Sequence, residues 1–101
     1  MTLVAILTVR RDALEQFRTF ERHAAAVMRT HGGRFDRTVV VTPDPGPGLL
    51  REIHLVTFPD EPAFLAYRAD PRLAELAHLR DASVVATDVL IGEDGPDYGA
   101  A

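Results

Sequence analysis

Leu3-Val4-Ala5-Ile6-Leu7-Thr8-Val9 and Ile53-His54-Leu55-Val56-Thr57-Phe58 decide how this chain is read. Branched and bulky residues mark both as β-strands. Successive strand side chains point to opposite faces. Leu3, Ala5, Leu7 and Val9 therefore share one face, and Val4, Ile6 and Thr8 the other. A sheet covered by helices on one side leaves its second face to water. Here the second face is too apolar for that, and the simplest cover is another copy of the chain. A homodimer is expected.

Working outward, the first strand spans Thr2 to Arg10. Asp12 offers an oxygen to the free amides of a helix start, and Glu15 stands three residues on, in a capping-box arrangement. The helix should run to about His31, with Leu14, Phe17, Phe20, Ala24, Val27 and Met28 forming one apolar stripe. Gly32-Gly33 then closes it, because glycine tolerates the left-handed conformation of a helix end. A second strand, Phe35 to Thr42, joins a third, Leu49 to Phe58, through the turn-rich segment Pro43-Asp44-Pro45-Gly46-Pro47-Gly48. Asp60 and Asp70 each precede a proline-containing helix start, which predicts helices over about Glu61–Ala69 and Pro71–Arg80. Ser83 to Ile91 is the last strand. The order β-α-β-β-α-β is α+β and ferredoxin-like: a four-stranded antiparallel sheet with its helices on one face. Residues 1–92 are expected to form the domain and 93–101 a C-terminal tail.

Composition narrows the partners. The chain has 101 residues, is 47% hydrophobic, and carries a net charge of −4. Nucleic-acid binding needs a basic stripe, which an acidic chain does not favour, and the charge also speaks against an anionic membrane surface. No apolar run is long enough to span a bilayer. The first strand lacks the flanks of a signal peptide, since Arg10 and Arg11 follow it instead of preceding it. There is no cysteine, which removes disulfides and thiolate chemistry and fits a reducing cytoplasm.

Several motifs carry a resemblance. His31-Gly32-Gly33-Arg34-Phe35 follows the first helix, Val56-Thr57-Phe58-Pro59-Asp60 leads into Ala63-Phe64 and Tyr67, and Asp70-Pro71, Leu76 and Leu79-Arg80 come after. From about Leu3 to Gly92 the chain resembles the small single-domain members of the dimeric α/β-barrel superfamily. That group includes cofactor-free monooxygenases of antibiotic pathways, polyketide cyclases and muconolactone-isomerase-like enzymes. The resemblance implies a homodimer with sheets packed face to face as a barrel, and a pocket in each subunit between sheet and helices. This chain has no Trp for stacking large polycyclic substrates.

Residues that could carry chemistry are few. Glu52 and His54 lie two apart on one strand and share a face with Leu50, Val56 and Phe58. A carboxylate beside an imidazole on an apolar wall suits a general base with its orienting partner. The alternative is a structural polar couple at a subunit seam or strand edge. Glu21 falls within the apolar stripe of the first helix, where it needs a partner such as Arg68 or Arg80. Tyr67 and Arg80 suit a developing negative charge. Glu21, Arg34 and Phe17 are expected to bind substrate. Among the histidines only Glu75 and His78 have a helix-borne ligand spacing, too little for a metal site, and no phosphate-cradling glycine loop precedes a helix. No metal and no cofactor are expected.

The sequence thus points to a small cytoplasmic, cofactor-independent enzyme acting on an enolisable or aromatic small molecule, as an isomerase, cyclase or monooxygenase of a secondary-metabolism or catabolic pathway. His54 is the expected base, Glu52 its orienter, and Tyr67 and Arg80 the stabilisers of negative charge. The alternative is a non-catalytic small-molecule-binding or interaction module of the same fold.

Overall fold

A computed structural model describes residues 1–100. Strand β1 is Thr2–Arg10, β2 Arg34–Val41, β3 Leu49–Thr57 and β4 Val84–Gly92. Helix α1 is Leu14–Thr30, α2 Glu61–Arg68, α3 Pro71–Ala74 and α4 Ala77–Ser83. Among the described residues the strands form one sheet in the order β2-β3-β1-β4, and every pairing is antiparallel. This is the ferredoxin-like arrangement that the sequence implied.

The register explains the core. Across β1 and β3, Leu3 faces Val56, Ala5 faces His54, Leu7 faces Glu52 and Val9 faces Leu50. These residues look toward the helices. Leu3, Val56 and Phe58 pack with Met28 of α1 and Phe64 of α2 in one apolar cluster. Leu7 and Val9 pack with Phe17 in a second. On the opposite face Ile6 pairs with Ile53 and Val4 with Leu55. All four are only half-buried, while Val39 and Leu90 beside them are exposed.

The turns follow from local chemistry, with two departures. Asp60 and Asp70 cap α2 and α3 by accepting from the amides of Ala63 and Arg72, each at 2.9 Å. Gly32 closes α1 at φ 77°. Gly33 is required for space: a Cβ there would lie 2.5 Å from Met28 and 2.6 Å from Phe58. The first departure concerns Asp12, which caps nothing. A 3₁₀ turn over Arg11–Ala13 leads into α1, Ala13 takes the N-cap position, and no side chain bonds the free amides. Burying Ala13 turns Asp12 out to solvent. The second departure breaks the expected helix from Pro71 to Arg80. Leu76 and Leu79 donate three residues back, to Leu73 and Leu76, and these tighter bonds separate α3 from α4.

The end of α1 is tied to the start of α3. His31 Nε2 lies 2.8 Å from Asp70 Oδ2. Arg72 returns its guanidinium to Asp70 at 2.7 Å and to Thr30 Oγ1 at 2.9 Å. After β4, residues 93–100 form no helix or strand. Among the described residues no helix is long and apolar enough to cross a membrane.

Candidate active site

The helix-facing side of β3 is apolar at both ends and polar in the middle. Between Leu50 and Val56 it presents Glu52 and His54, which are 2% and 4% exposed. β3 is a central strand, so the pair lies under the helices and not at a strand edge or on the open face. That placement excludes the strand-edge alternative.

His54 Nε2 lies 2.7 Å from Glu52 Oε1. The other carboxylate oxygen accepts from Arg18 Nη1 of α1. Burial pushes the Glu52 carboxyl upward, but the hydrogen bonds from His54 and Arg18, with their charges, outweigh it and hold the group below its ordinary range. Glu52 is therefore a carboxylate, which only accepts hydrogen bonds. His54 Nε2 must carry the proton it donates, and in the neutral ring Nδ1 keeps the lone pair. Two phenyl rings hold the imidazole: Phe35 meets it edge-on at 5.0 Å and Phe17 lies roughly parallel at 6.5 Å.

Nδ1 looks the other way, toward Glu21 Oε2 at 3.9 Å. Glu21 stands on α1 one turn after Arg18. Its side chain is 17% exposed, and its carboxyl forms no hydrogen bond among the described residues. Burial, with the Glu52 charge adding to it, raises its pKa against the opposing pull of His54, Arg18 and Arg80. The carboxyl is biased toward its protonated form.

His54 and Glu21 line a cavity of about 500 Å³ between the sheet and the helices. Small side chains leave the room for it: Ala5 on β1, Ala24 on α1 and Ala77 on α4 all form its wall. The cavity opens beside β4, where Val89 and Ile91 are about half exposed. Tyr67 and Arg80 reach it from α2 and α4. Burial, helped by the charge of Glu21, pushes the Tyr67 phenol up to about 12, so it is a hydrogen-bond donor at neutral pH. A smaller cavity of about 220 Å³ lies on the other side of the pair, and Glu21, His54 and Phe35 line both.

The residues singled out in the sequence fall into three groups. His54, Glu21, Tyr67 and Arg80 converge on the large cavity. Glu52 stands behind His54 and lines the small cavity. Phe17 and Arg34, expected to bind substrate, reach neither. Phe17 is fully buried behind the imidazole. Arg34 is 71% exposed and bonded to Asp36, because Phe35 turns toward the helices and its neighbour must turn away. Glu21 finds neither expected arginine within ion-pair distance among the described residues. Arg68 lies over the Phe64 ring instead. Arg18 was not anticipated, although it lies on the same side of α1 as Glu21 three residues later. Among the described residues no group of three His, Asp or Glu could hold a metal ion, and His78 is exposed.

No protein-family model matches the sequence, and no curated protein matches it. Solved structures do match by shape. A Rhodopseudomonas palustris protein of unknown function, RPA0582, superposes at a TM-score of 0.74 with 18% identity, over 94% of this chain and 83% of that one. The chain shares its fold with the antibiotic-biosynthesis-monooxygenase-like proteins. SnoaB, a cofactor-independent oxygenase from Streptomyces nogalater, matches at 0.59 with 18% identity over 93% of each chain. A putative antibiotic biosynthesis monooxygenase from Bacteroides thetaiotaomicron matches at 0.64 with 16% identity, over 93% of this chain and 88% of that one. The resemblance to the dimeric α/β-barrel superfamily holds at the level of fold.

Proposed function

We propose that this protein is a small, cofactor-independent enzyme that removes a proton from an enolisable or aromatic small molecule. One observation carries the reading: a buried imidazole whose Nε2 is committed to a carboxylate at 2.7 Å, while Nδ1 looks toward Glu21 and both residues line a cavity of about 500 Å³. His54 is the base. Glu52, itself held by Arg18, fixes the tautomer and stabilises the imidazolium that forms. Tyr67 and Arg80 stabilise the developing enolate or phenolate oxygen. The cavity wall is mostly apolar, which suits a compact cyclic or aliphatic carbonyl compound. The shape match to a cofactor-independent oxygenase supports a reaction that needs no bound cofactor.

The test follows α-proton exchange of enolisable ketones and hydroxyquinones in D₂O by NMR. His54→Ala is expected to lower the exchange rate ~10²–10⁴-fold with an unchanged circular-dichroism spectrum. Equal rates for variant and wild type remove His54 from the chemistry, and saturable binding with no exchange in either favours a binding module.

We also propose that the active form is a homodimer. Support comes from the open sheet face, where Val4, Ile6, Ile53 and Leu55 lie together and no helix among the described residues covers them. A second sheet packed on this face removes the patch from water. Ile53→Arg, at the middle of that face, is expected to turn a dimer into a monomer in sedimentation. A wild-type monomer at micromolar concentration rejects the proposal.

A further inference from the structure

Glu21 is left over once His54 has been given its role. It is a carboxyl on the wall of the large cavity, 3.9 Å from the basic nitrogen of His54, and no hydrogen bond among the described residues engages it. A carboxyl this enclosed with no partner is normally neutralised or avoided. A neutral carboxyl is a proton donor. The cavity is therefore lined on one side by an imidazole nitrogen and by a carboxyl that burial biases toward its protonated form. An imidazole and a carboxyl side by side on a cavity wall can serve as base and acid toward one bound molecule.

We propose that Glu21 is a general acid working beside His54, so that the pair moves a proton from one carbon to another within a β,γ-unsaturated ketone or a similar enolisable compound. The inference rests on the reading of His54 as the base and narrows the reaction to a 1,3-proton shift. In the first step His54 Nδ1 takes the α proton. The C–H electron pair enters the π system and gives a dienolate, whose oxygen faces Tyr67 or Arg80. In the second step Glu21 gives its proton to the γ carbon, and the double bond comes to rest in conjugation with the carbonyl. The protein is left with an imidazolium and a carboxylate side by side. A proton passing from Nδ1 to Glu21 Oε2 restores the starting state. No oxidant, reductant or second substrate is consumed.

Burial chiefly raises the pKa of Glu21, and the groups facing it adjust that bias. They are His54 and Glu52 from β3, Arg18 from its own helix, Arg80 from α4 and Tyr67 from α2. Of these, Glu52 keeps the proton on Glu21, and the three basic groups oppose it.

The probe for turnover is 3-cyclohexen-1-one in D₂O, with α-deuteration and formation of 2-cyclohexen-1-one followed in the same NMR sample. Glu21→Gln is expected to reduce isomerisation ~100-fold more than it reduces α-deuteration, whereas His54→Gln reduces both together. A Glu21→Gln enzyme that keeps the wild-type ratio of the two rates overturns the assignment of Glu21 while leaving His54 in place. A wild type that deuterates without isomerising also overturns it. A wild type that does neither removes the base and, with it, the acid. Protein labelled with ¹³C at glutamate Cδ provides the readout independent of turnover. The resonance lost in Glu21→Gln should titrate above those of the exposed glutamates and move downward in Glu52→Gln. A resonance that titrates with the exposed glutamates rejects the proposal.

Discussion

Two histidine–carboxylate pairs of almost equal length sit in this molecule and do different things. His54 meets Glu52 at 2.7 Å and His31 meets Asp70 at 2.8 Å. The first pair is on a central strand under the helices, nearly sealed from water. The second joins the end of α1 to the start of α3, and its imidazole is 22% exposed. Pair geometry is thus not what marks a site. The difference lies in the rest of each ring's surroundings. His54 turns its free nitrogen to a cavity and a second carboxyl. His31 has the edge of Tyr67 beside it, and its carboxylate is occupied in capping α3 and binding Arg72. The first pair is placed to exchange a proton, the second to hold two helices together.

The largest difference in stability should appear when the carboxylate of the buried pair is removed. Glu52→Ala leaves the Arg18 guanidinium and the His54 ring without their shared acceptor. Breaking a buried pair costs about 3 kcal/mol, or ~15 °C in Tm for a domain of this size. Thermal unfolding checks this, and a loss below ~1 kcal/mol would place Glu52 among ordinary surface ion pairs. His31→Ala, by contrast, removes one partly solvated hydrogen bond and should cost about 1 kcal/mol. It should leave deuterium exchange of bound ketones within ~2-fold of wild type, since a clamp that does not line the cavity has no part in the chemistry. A His31 variant as inactive as His54→Ala would erase the distinction between the pairs.

These contrasts also show what a chain can disclose before it folds. The alternation in β1 and β3, the Gly32-Gly33 stop and the capping Asp60 and Asp70 are local signals, and local signals survive folding. The pairing of Glu52 with His54 was legible for the same reason, because a strand places residues two apart on one face. Arg18 was missed because its role depends on which turn of α1 lies over β3, a tertiary fact. Arg34 was misplaced because which face of β2 meets the helices depends on its register with β3, and there Phe35 takes the inner face and turns Arg34 outward. Asp12 was misread because a 3₁₀ turn buries Ala13 in place of a capped start. The cavity itself had no linear signature. It arises where Ala5, Ala24 and Ala77, from three distant segments, meet.

The finest test separates the carboxyls by the sign of their pH dependence. Glu21 has a raised pKa in the folded chain, chiefly from burial. A raised group contributes stability that is complete below its ordinary value of 4.5 and lost as pH rises through the folded value. Asp70 has a lowered pKa, chiefly from its hydrogen bonds to Arg72 and then to His31. Its contribution is present above the ordinary value of 3.8 and lost as pH falls through the folded one. Glutamine and asparagine resemble the protonated acids and do not titrate. Glu21→Gln should therefore match wild type near pH 4 and exceed it in Tm at pH 8, by a margin that grows with pH until Glu21 is fully ionised. Asp70→Asn should behave oppositely, falling below wild type at pH 7 and approaching it as the buffer is acidified. Thermal melts of both variants from pH 3 to 9 give the two slopes. Slopes of the same sign would mean that Glu21 is ionised in the resting protein, and a carboxylate already ionised has no proton to deliver beside His54.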